Sequence, residues 1–140
     1  MSGLSGAELA VVVTGPDEAS RQTAEALAAR AGCGVKVLDD LREINLGLWE
    51  GMLASEFERR YPRVCRQWLE DPASVMAPEG ENLEEVRERV VGALSRELDR
   101  HRKAGPVAAV LRPIVWRVVH CSLRSASTCE MWTGAKEAGW

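Results

Sequence analysis

The stretch that decides the fold is Leu41–Gly51, which reads LREINLGLWEG. It follows a short apolar run, Val35–Leu38, that has the length and composition of a buried strand. Two carboxylates, Glu43 and Glu50, lie in it on either side of a turn that contains glycine. In α/β folds the sites lie beyond the carboxyl ends of the strands, so a carboxylate just past a strand marks a candidate site.

The residues before this stretch predict a strand, a helix and a second strand. Leu9–Val13 is an apolar run with three consecutive valines, too short for a helix and typical of a buried parallel strand. Asp17 is a good N-cap for a helix over Ala19–Ala31, which is rich in strong helix formers. Val35–Leu38 then completes a βαβ unit, whose crossover should be right-handed.

The residues after the stretch predict four helices and two further strands. Pro62 suits the first turn of a helix, and Asn82–Glu85 has the pattern of a capping box. The helices are expected at 53–60, 63–69, 83–103 and 114–123, the last of them buried because it is apolar on nearly all sides. The strands are expected at 106–111 and, as a short terminal strand, at Cys129–Trp132.

Length and composition exclude several classes of protein. The 140 residues fit one domain, 1–140. With 46% apolar residues, 28% charged residues and a net charge of −3, the chain has neither a nucleic-acid footprint nor the polarity of a disordered segment. No apolar run approaches the ~20 residues of a membrane span, and no signal peptide opens the chain. A cytoplasmic location without membrane contact is therefore expected.

The cysteines are expected to be free thiols. Cys33, Cys65, Cys121 and Cys129 include no pair at C-x-x-C spacing. In a cytoplasmic setting, neither disulfides nor a zinc site is indicated. We therefore expect no metal and no cofactor.

Several segments resemble the histidine phosphatase superfamily, the phosphoglycerate-mutase-like group. Leu41–Gly51 is similar to its motif L-R-E-I-x-L-G-x-W-E-G, and Gly15–Ala24 is similar to its S-P-L-x-R-A-x-Q-T-A. Further similar pieces follow in register at 60–62, 68–72, 78–82 and 106–123. Each piece alone is weak, but their joint spacing is specific.

The resemblance implies a three-layer α/β/α fold with a mainly parallel sheet of strand order 3-2-4-1-5-6. The first family strand carries an R-H-G motif, which occurs nowhere in this sequence, so the chain is expected to begin after it. The strands predicted at 9–13, 35–38 and 106–111 correspond to strands 2, 3 and 4. We therefore expect an α/β fold whose sheet is reduced to a contiguous core of about three strands, in the order 3-2-4.

The resemblance also implies phosphoryl transfer through a covalent phosphohistidine. The family uses the R-H-G histidine as nucleophile, arginines to bind the phosphate, a second histidine in S-H-G, and the glutamate of L-R-E-I as proton donor. Glu43 keeps the proton-donor position, but a phosphate-binding arginine is replaced by Ala19 and the second histidine by Arg112. Without a nucleophilic histidine and the phosphate-binding residues, the proton donor alone cannot support this phosphoryl transfer.

The candidate ligand-binding residues are Glu43, Arg21 and Arg112. Arg21 lies two residues past the lost arginine and Arg112 at the end of a strand, so together they can bind a phosphate or carboxylate without turning it over. Two alternatives stay open. Arg21 can be a solvated surface residue, and Glu43 can be an ancestral carboxylate that now pairs with Arg42, with Arg112 or with a backbone cap.

Four other residues are expected to have structural roles. Trp49 should pack the motif onto the body of the protein, and Glu50 is expected to be structural rather than functional. His101, at the end of the long helix, is expected in solvent. His120 is expected to be a core or interface histidine because it falls inside the predicted buried helix.

The implied sheet leaves strand 106–111 at an edge, and an apolar, unpaired edge needs cover. Either the segment Ser127–Thr133 folds back onto it, or a second copy pairs with it across a two-fold axis. We predict a homodimer through this edge and the C-terminal segment, with Trp116, Trp132 and Trp140 as aromatic anchors.

Three functional hypotheses follow. The preferred one is a catalytically inactive superfamily member that acts as a binding or regulatory module. The second is a residual phosphomonoester hydrolase, a phosphatase whose site is completed by a partner chain. The third is a protein that binds phosphate or another small anion through Arg21, Arg112 and Glu43.

Overall fold

The computed structural model describes residues 8–132, which form two compact units. The sheet unit contains residues 8–43 and 89–113, and the helical unit contains residues 44–88 and 114–132. Two helices, Leu83–Arg100 and Pro113–Leu123, contribute residues to both units. The assignment of 1–140 to one domain stays a prediction.

The sheet unit is built on three parallel strands: β1 (Val11–Thr14), β2 (Gly34–Val37) and β3 (Val107–Val110). Their order is β2-β1-β3, which confirms the predicted order 3-2-4. The central strand β1 is buried along its whole length, as expected for a parallel strand with a neighbour on each side.

Helix α1 (Glu18–Ala31) is the crossover between β1 and β2. The Asp17 carboxylate caps it by accepting the Ser20 N–H at 3.0 Å, as the sequence predicts. Ala24 and Ala28 face the sheet and form the core with Val12.

The helical unit holds α2 (Ala54–Arg60), α3 (Pro62–Glu70) and parts of α4 (Leu83–Arg100) and α5 (Pro113–Leu123). Pro62 is at the start of α3, and Asn82 and Glu85 form the predicted capping box at the start of α4, with N–H···O distances of 3.2 and 2.9 Å. Short 3₁₀ turns complete the chain at Asp39–Leu41, Gly47–Trp49, Pro72–Ser74 and Thr128–Glu130. None of the helices in residues 8–132 is long and apolar enough to cross a bilayer.

The predicted strand at Cys129–Trp132 is wrong, because residues 128–130 form a 3₁₀ turn. The backbone groups there bond locally, with the Met131 N–H donating to the Thr128 carbonyl at 3.1 Å. Arg117, buried in α5, donates to the Met131 carbonyl at 2.8 Å, and the Trp132 indole donates to the Trp68 carbonyl at 2.9 Å. The described part of 127–133 therefore packs within the helical unit and does not form a strand on β3.

The expectation of a core position for His120 is wrong, its interface alternative stays a prediction, and His101 is less exposed than expected. His120 is exposed and stacks on Trp116 at a ring separation of 4.9 Å, because α5 is buried along one stripe rather than on all sides. His101 is partly buried, with its Nε2 3.5 Å from a Glu97 carboxylate oxygen, and is not a free solvated residue.

Candidate functional site

The candidate site of the sheet unit lies at the carboxyl ends of its strands. Because the strands are parallel, these ends share one edge of the sheet. The Leu38 N–H donates to the Thr14 carbonyl at 2.8 Å and ties the exit of β2 to the end of β1. The segments that leave this edge carry Asp17, Glu43 and Arg112.

Arg112 and Asp17 are brought together at this edge. Arg112 is exposed directly after β3, and Asp17 follows β1. Partial burial raises the pKa of Asp17, but the hydrogen bond from the Ser20 N–H and the positive charge of Arg112 outweigh it, so the pKa lies below its usual value. The second carboxylate oxygen, Oδ1, is buried and accepts no hydrogen bond from the described residues.

Glu43 is half-buried, and the guanidinium of the partly buried Arg89 holds its backbone. Arg89 of α4 donates to the carbonyls of Asp40 and Arg42 at 2.7 and 2.8 Å. It also donates to the carbonyl of Glu43 itself at 3.3 Å. The backbone that presents the Glu43 carboxylate is therefore rigidly held within the sheet unit.

Arg21 is less closely involved. It lies in the first turns of α1, where its side chain is exposed and makes no hydrogen bond or ion pair with any described residue. Ala19, two residues earlier, is also exposed. Arg21 is therefore a solvated surface residue in this structure, and its guanidinium is accessible to a ligand.

Histidine and cysteine nucleophiles are absent from the described part of this edge. Within residues 8–43 and 89–113, His101 follows α4 and precedes β3, and Cys33 precedes β2, so both lie at the amino ends of the strands. Nor do His, Cys, Asp and Glu side chains gather anywhere in residues 8–132 in a group of three that can hold a metal. The described residues of this edge therefore include no histidine or cysteine side chain that could carry a phosphoryl group.

Two site residues were not found by sequence reasoning. Asp17 was recognised only as a helix cap, although its carboxylate also faces the charge of Arg112. Arg89 has no assigned role in the predicted helix 83–103, although it reaches the backbone of 40–43. Neither contact has a signal in local spacing, since each joins residues more than forty positions apart.

The second half of the Leu41–Gly51 motif has a structural role in the helical unit. The Leu48 N–H donates to the Pro78 carbonyl at 2.9 Å, and the Glu81 N–H donates to the Asn45 carbonyl at 2.8 Å. Glu50 accepts the Leu46 N–H at 2.8 Å, which agrees with the structural role expected for it.

Trp49 anchors this turn to the helices that follow it. Its ring meets that of Phe57 edge to face, with centroids 4.9 Å apart, and lies 6.0 Å from that of Tyr61. The expected packing role of Trp49 is thus fulfilled within the helical unit.

Comparison with known proteins agrees with this architecture. Phosphoserine phosphatase 1 of Hydrogenobacter thermophilus is 32% identical over 130 residues, which cover 93% of this chain and 61% of that protein. The structure of Bacillus stearothermophilus YhfR matches with a TM-score of 0.85 at 24% identity, over 94% of this chain and 65% of that one. A mycobacterial glucosyl-3-phosphoglycerate phosphatase, solved with inorganic phosphate, matches with a TM-score of 0.77 at 25% identity, over 93% of this chain and 65% of that one.

The chain thus spans about six tenths of the length of the phosphoserine phosphatase that it matches. A family model described as the histidine phosphatase superfamily (branch 1) matches residues 2–136, nearly the whole sequence. The chain belongs to the histidine phosphatase superfamily, branch 1.

Proposed function

We propose that this chain binds a phosphate group or another small anion at the carboxyl edge of the sheet unit and does not transfer it. The observation that carries the proposal is Arg112, which stands after β3 in the position of the family's second histidine. A guanidinium carries five N–H donors and keeps its proton, so it binds oxyanions well but does not exchange protons with them.

Ala19 and Arg21 support the same reading. Ala19 puts a methyl group where the family has a phosphate-binding arginine, which removes a bidentate donor. Arg21 supplies an exposed positive charge from the same helix. With one arginine lost and one exposed arginine nearby, the site suits reversible binding of an anion better than stabilisation of a transferring phosphoryl group.

Asp17 sets a limit on the affinity. Its carboxylate already interacts with the charge of Arg112, so an incoming anion must compete with it for the guanidinium. Glu43 adds a second acidic group, which can accept a hydrogen bond from a hydroxyl group carried by the ligand. We therefore expect modest affinity, suited to a regulatory or binding module in the cytoplasm, where phosphorylated metabolites are abundant.

Inorganic phosphate is expected to bind, and Arg112→Ala is expected to weaken that binding about tenfold, because a hydrogen bond to a charged group contributes ~1.5–3 kcal/mol. Isothermal titration calorimetry at low ionic strength measures both dissociation constants. Arg30→Ala removes an exposed arginine in the last turn of α1, which leads to the amino end of β2, and serves as the matched control within the sheet unit, with binding unchanged. Equal affinity in the Arg112→Ala and parent proteins would contradict the anion site.

The same samples separate this proposal from residual phosphatase activity completed by a partner chain. That alternative is favoured by the similarity to a phosphoserine phosphatase and by the presence of Glu43. We expect no release of p-nitrophenol from p-nitrophenyl phosphate. Turnover that Glu43→Gln abolishes would establish the hydrolase and overturn the proposal.

We further propose that the protein is a homodimer through the open edge of β3 and the C-terminal segment. Among the described strands β3 pairs with β1 alone, so its other edge presents unpaired backbone groups that a second copy can pair with. Trp132 is already engaged with Trp68 and Arg117, which leaves the partly buried Trp116 as the better aromatic anchor. Trp140 lies outside the described residues.

Light scattering is expected to give twice the chain mass of 15.4 kDa. Ala109→Lys places a charge on the exposed position of β3 and is expected to raise the dissociation constant of the dimer about tenfold, since edge lysines oppose strand pairing. Ala29→Lys on the exposed face of α1 is the matched control. A monomer mass that does not change with concentration would rule out the dimer.

A further inference from the structure

The helical unit contains an apolar cavity, and Arg21, Glu43 and Arg112 are not among the described residues that line it. Its volume is about 500 Å³, which falls within the range of small-molecule sites in proteins. Three of its walls are aromatic, formed by Trp49, Phe57 and Trp68. All the described residues that line the cavity belong to the helical unit.

The charges of the cavity have one sign. Among the described residues that line it, Glu58 and Glu81 are the carboxylic acids, and none is an arginine, a lysine or a histidine. The Glu81 carboxylate is committed to the loop through the Asn45 N–H at 2.9 Å. Glu58 is exposed and makes no hydrogen bond or ion pair with the described residues. A free carboxylate at the rim of an aromatic cavity is unfavourable for anions and favourable for cations.

The position of Glu58 relative to the cavity wall has independent support. The pKa of the Cys65 thiol is raised, mainly by burial and to a smaller extent by the negative charge of Glu58. Cys65 also lines the cavity, so Glu58 lies close to this part of the wall. The basic residue of α2 that is paired, Arg60, bonds to Glu56 at 3.5 Å and lies over the Tyr61 ring. Neither Arg60 nor the exposed Arg59 of the same helix is among the described lining residues, so Glu58 and Glu81 are the charged groups that line the cavity.

We propose that this cavity is a binding site for an apolar small molecule that carries a protonated amine, with its body between the aromatic walls and its ammonium group at Glu58. Tryptophan and phenylalanine faces attract cations as well as apolar groups, so both ends of such a ligand are satisfied. The chemistry is opposite in charge to that of the phosphate esters named for the relatives. The inference does not depend on the anion site of the sheet unit.

Three probes of nearly equal length test the proposal: 4-phenylbutylamine, 4-phenylbutanol and 4-phenylbutyrate. We expect the amine to bind about fivefold more tightly than the alcohol, the order expected of an exposed ion pair with a cation–π contribution, and the carboxylate to bind most weakly. Calorimetry gives the dissociation constants. In Glu58→Gln the preference of the amine over the alcohol should fall to about twofold, the remaining cation–π contribution, while Glu56→Gln, on the same helix, should keep the full preference.

Alkylation by N-ethylmaleimide locates the bound probe. The amine should slow the reaction of Cys65 and leave that of Cys33 unchanged; both cysteines are partly buried, and Cys33 lies in the sheet unit. Rates are compared with the ligand-free rate of the same variant, because Glu58 itself influences the Cys65 thiol. The proposal is overturned if 4-phenylbutyrate binds as well as the amine, or if the amine does not protect Cys65. It is equally overturned if Cys65 is protected before any probe is added, since a second copy or another part of the chain would then fill the cavity.

Discussion

Gly47→Ala is expected to lower the free energy of unfolding by about 4 kcal/mol, near the upper end of single substitutions. Gly47 has a φ of +51°, and a Cβ there would lie 2.1 Å from the Pro78 carbonyl oxygen. That oxygen accepts the Leu48 N–H at 2.9 Å, so it cannot move aside without breaking the contact between the two loops. The methyl group must therefore separate residues 45–48 from residues 78–81.

Urea unfolding followed by tryptophan fluorescence is the appropriate measurement. The described tryptophans, at positions 49, 68, 116 and 132, all lie in the helical unit, as do both loops. The fluorescence signal therefore follows the unit in which the substitution acts. Loss of the loop contact should appear as a lower urea midpoint.

Gly51→Ala is the matched control because it separates steric overlap from backbone strain. Gly51 has a φ of +78°, yet a Cβ there meets no atom within 4 Å. Only the left-handed conformation is then unfavourable, at about 1–2 kcal/mol. If the two alanine variants are equally stable, the loop contact does not hold the motif.

This contact also shows what the sequence can and cannot reveal about the motif. The segments at 41–51 and 78–82 were each recognisable from the sequence, but nothing in their spacing says that Asn45 and Leu48 bond to the second segment. The same is true of Arg89 and the 40–43 carbonyls. Such contacts depend on where the intervening helices return the chain, which is a property of tertiary packing.

Local chemistry made the sheet unit predictable. Its strands are short apolar runs bounded by turn residues, and its first helix begins at an N-cap, so their existence follows from periodicity and capping. The strand order, by contrast, came from the family resemblance. The errors occur where the same composition fits two structures. Apolar α5 is exposed at His120, and residues 128–130 form a 3₁₀ turn rather than part of a strand, with the Met131 carbonyl bonded to Arg117.

Lys36→Met is expected to lower the free energy of unfolding by about 2–3 kcal/mol at neutral pH. The Lys36 ammonium on β2 lies 2.7 Å from a carboxylate oxygen of Glu97, whose side chain is 5% exposed. Methionine keeps the apolar stem but removes the charge and leaves the buried carboxylate with the weaker contacts of Arg100 and His101, both at 3.5 Å. Because Lys36 is itself partly exposed, the loss should be smaller than for a fully buried pair.

The pH dependence identifies Glu97 as the group responsible. The hydrogen bond from Lys36 lowers the pKa of Glu97; burial opposes this, and the charges of Lys36, Arg100 and His101 lower the pKa further. The net pKa lies below the ordinary value of 4.5, so the contribution of the pair is fully present above pH 4.5 and is lost as the pH falls through the folded-state pKa. The difference between parent and Lys36→Met should therefore narrow below pH 4.5, where Glu97 becomes protonated in both proteins.

Urea titrations monitored by far-ultraviolet circular dichroism, repeated from pH 7 down to the acid limit of the parent, test this expectation. Arg102→Met is the control: its guanidinium lies 2.7 Å from Asp99, but both side chains are more than 70% exposed, and such pairs contribute at most about 1 kcal/mol. A Lys36→Met loss no larger than that of Arg102→Met would mean that water, rather than lysine, satisfies the Glu97 carboxylate. If the loss of unfolding free energy is large but stays constant from pH 7 to below pH 4, it would come from the packing of the lysine stem rather than from its charge. Only a large loss that narrows in acid agrees with a buried ion pair that fastens β2 to α4.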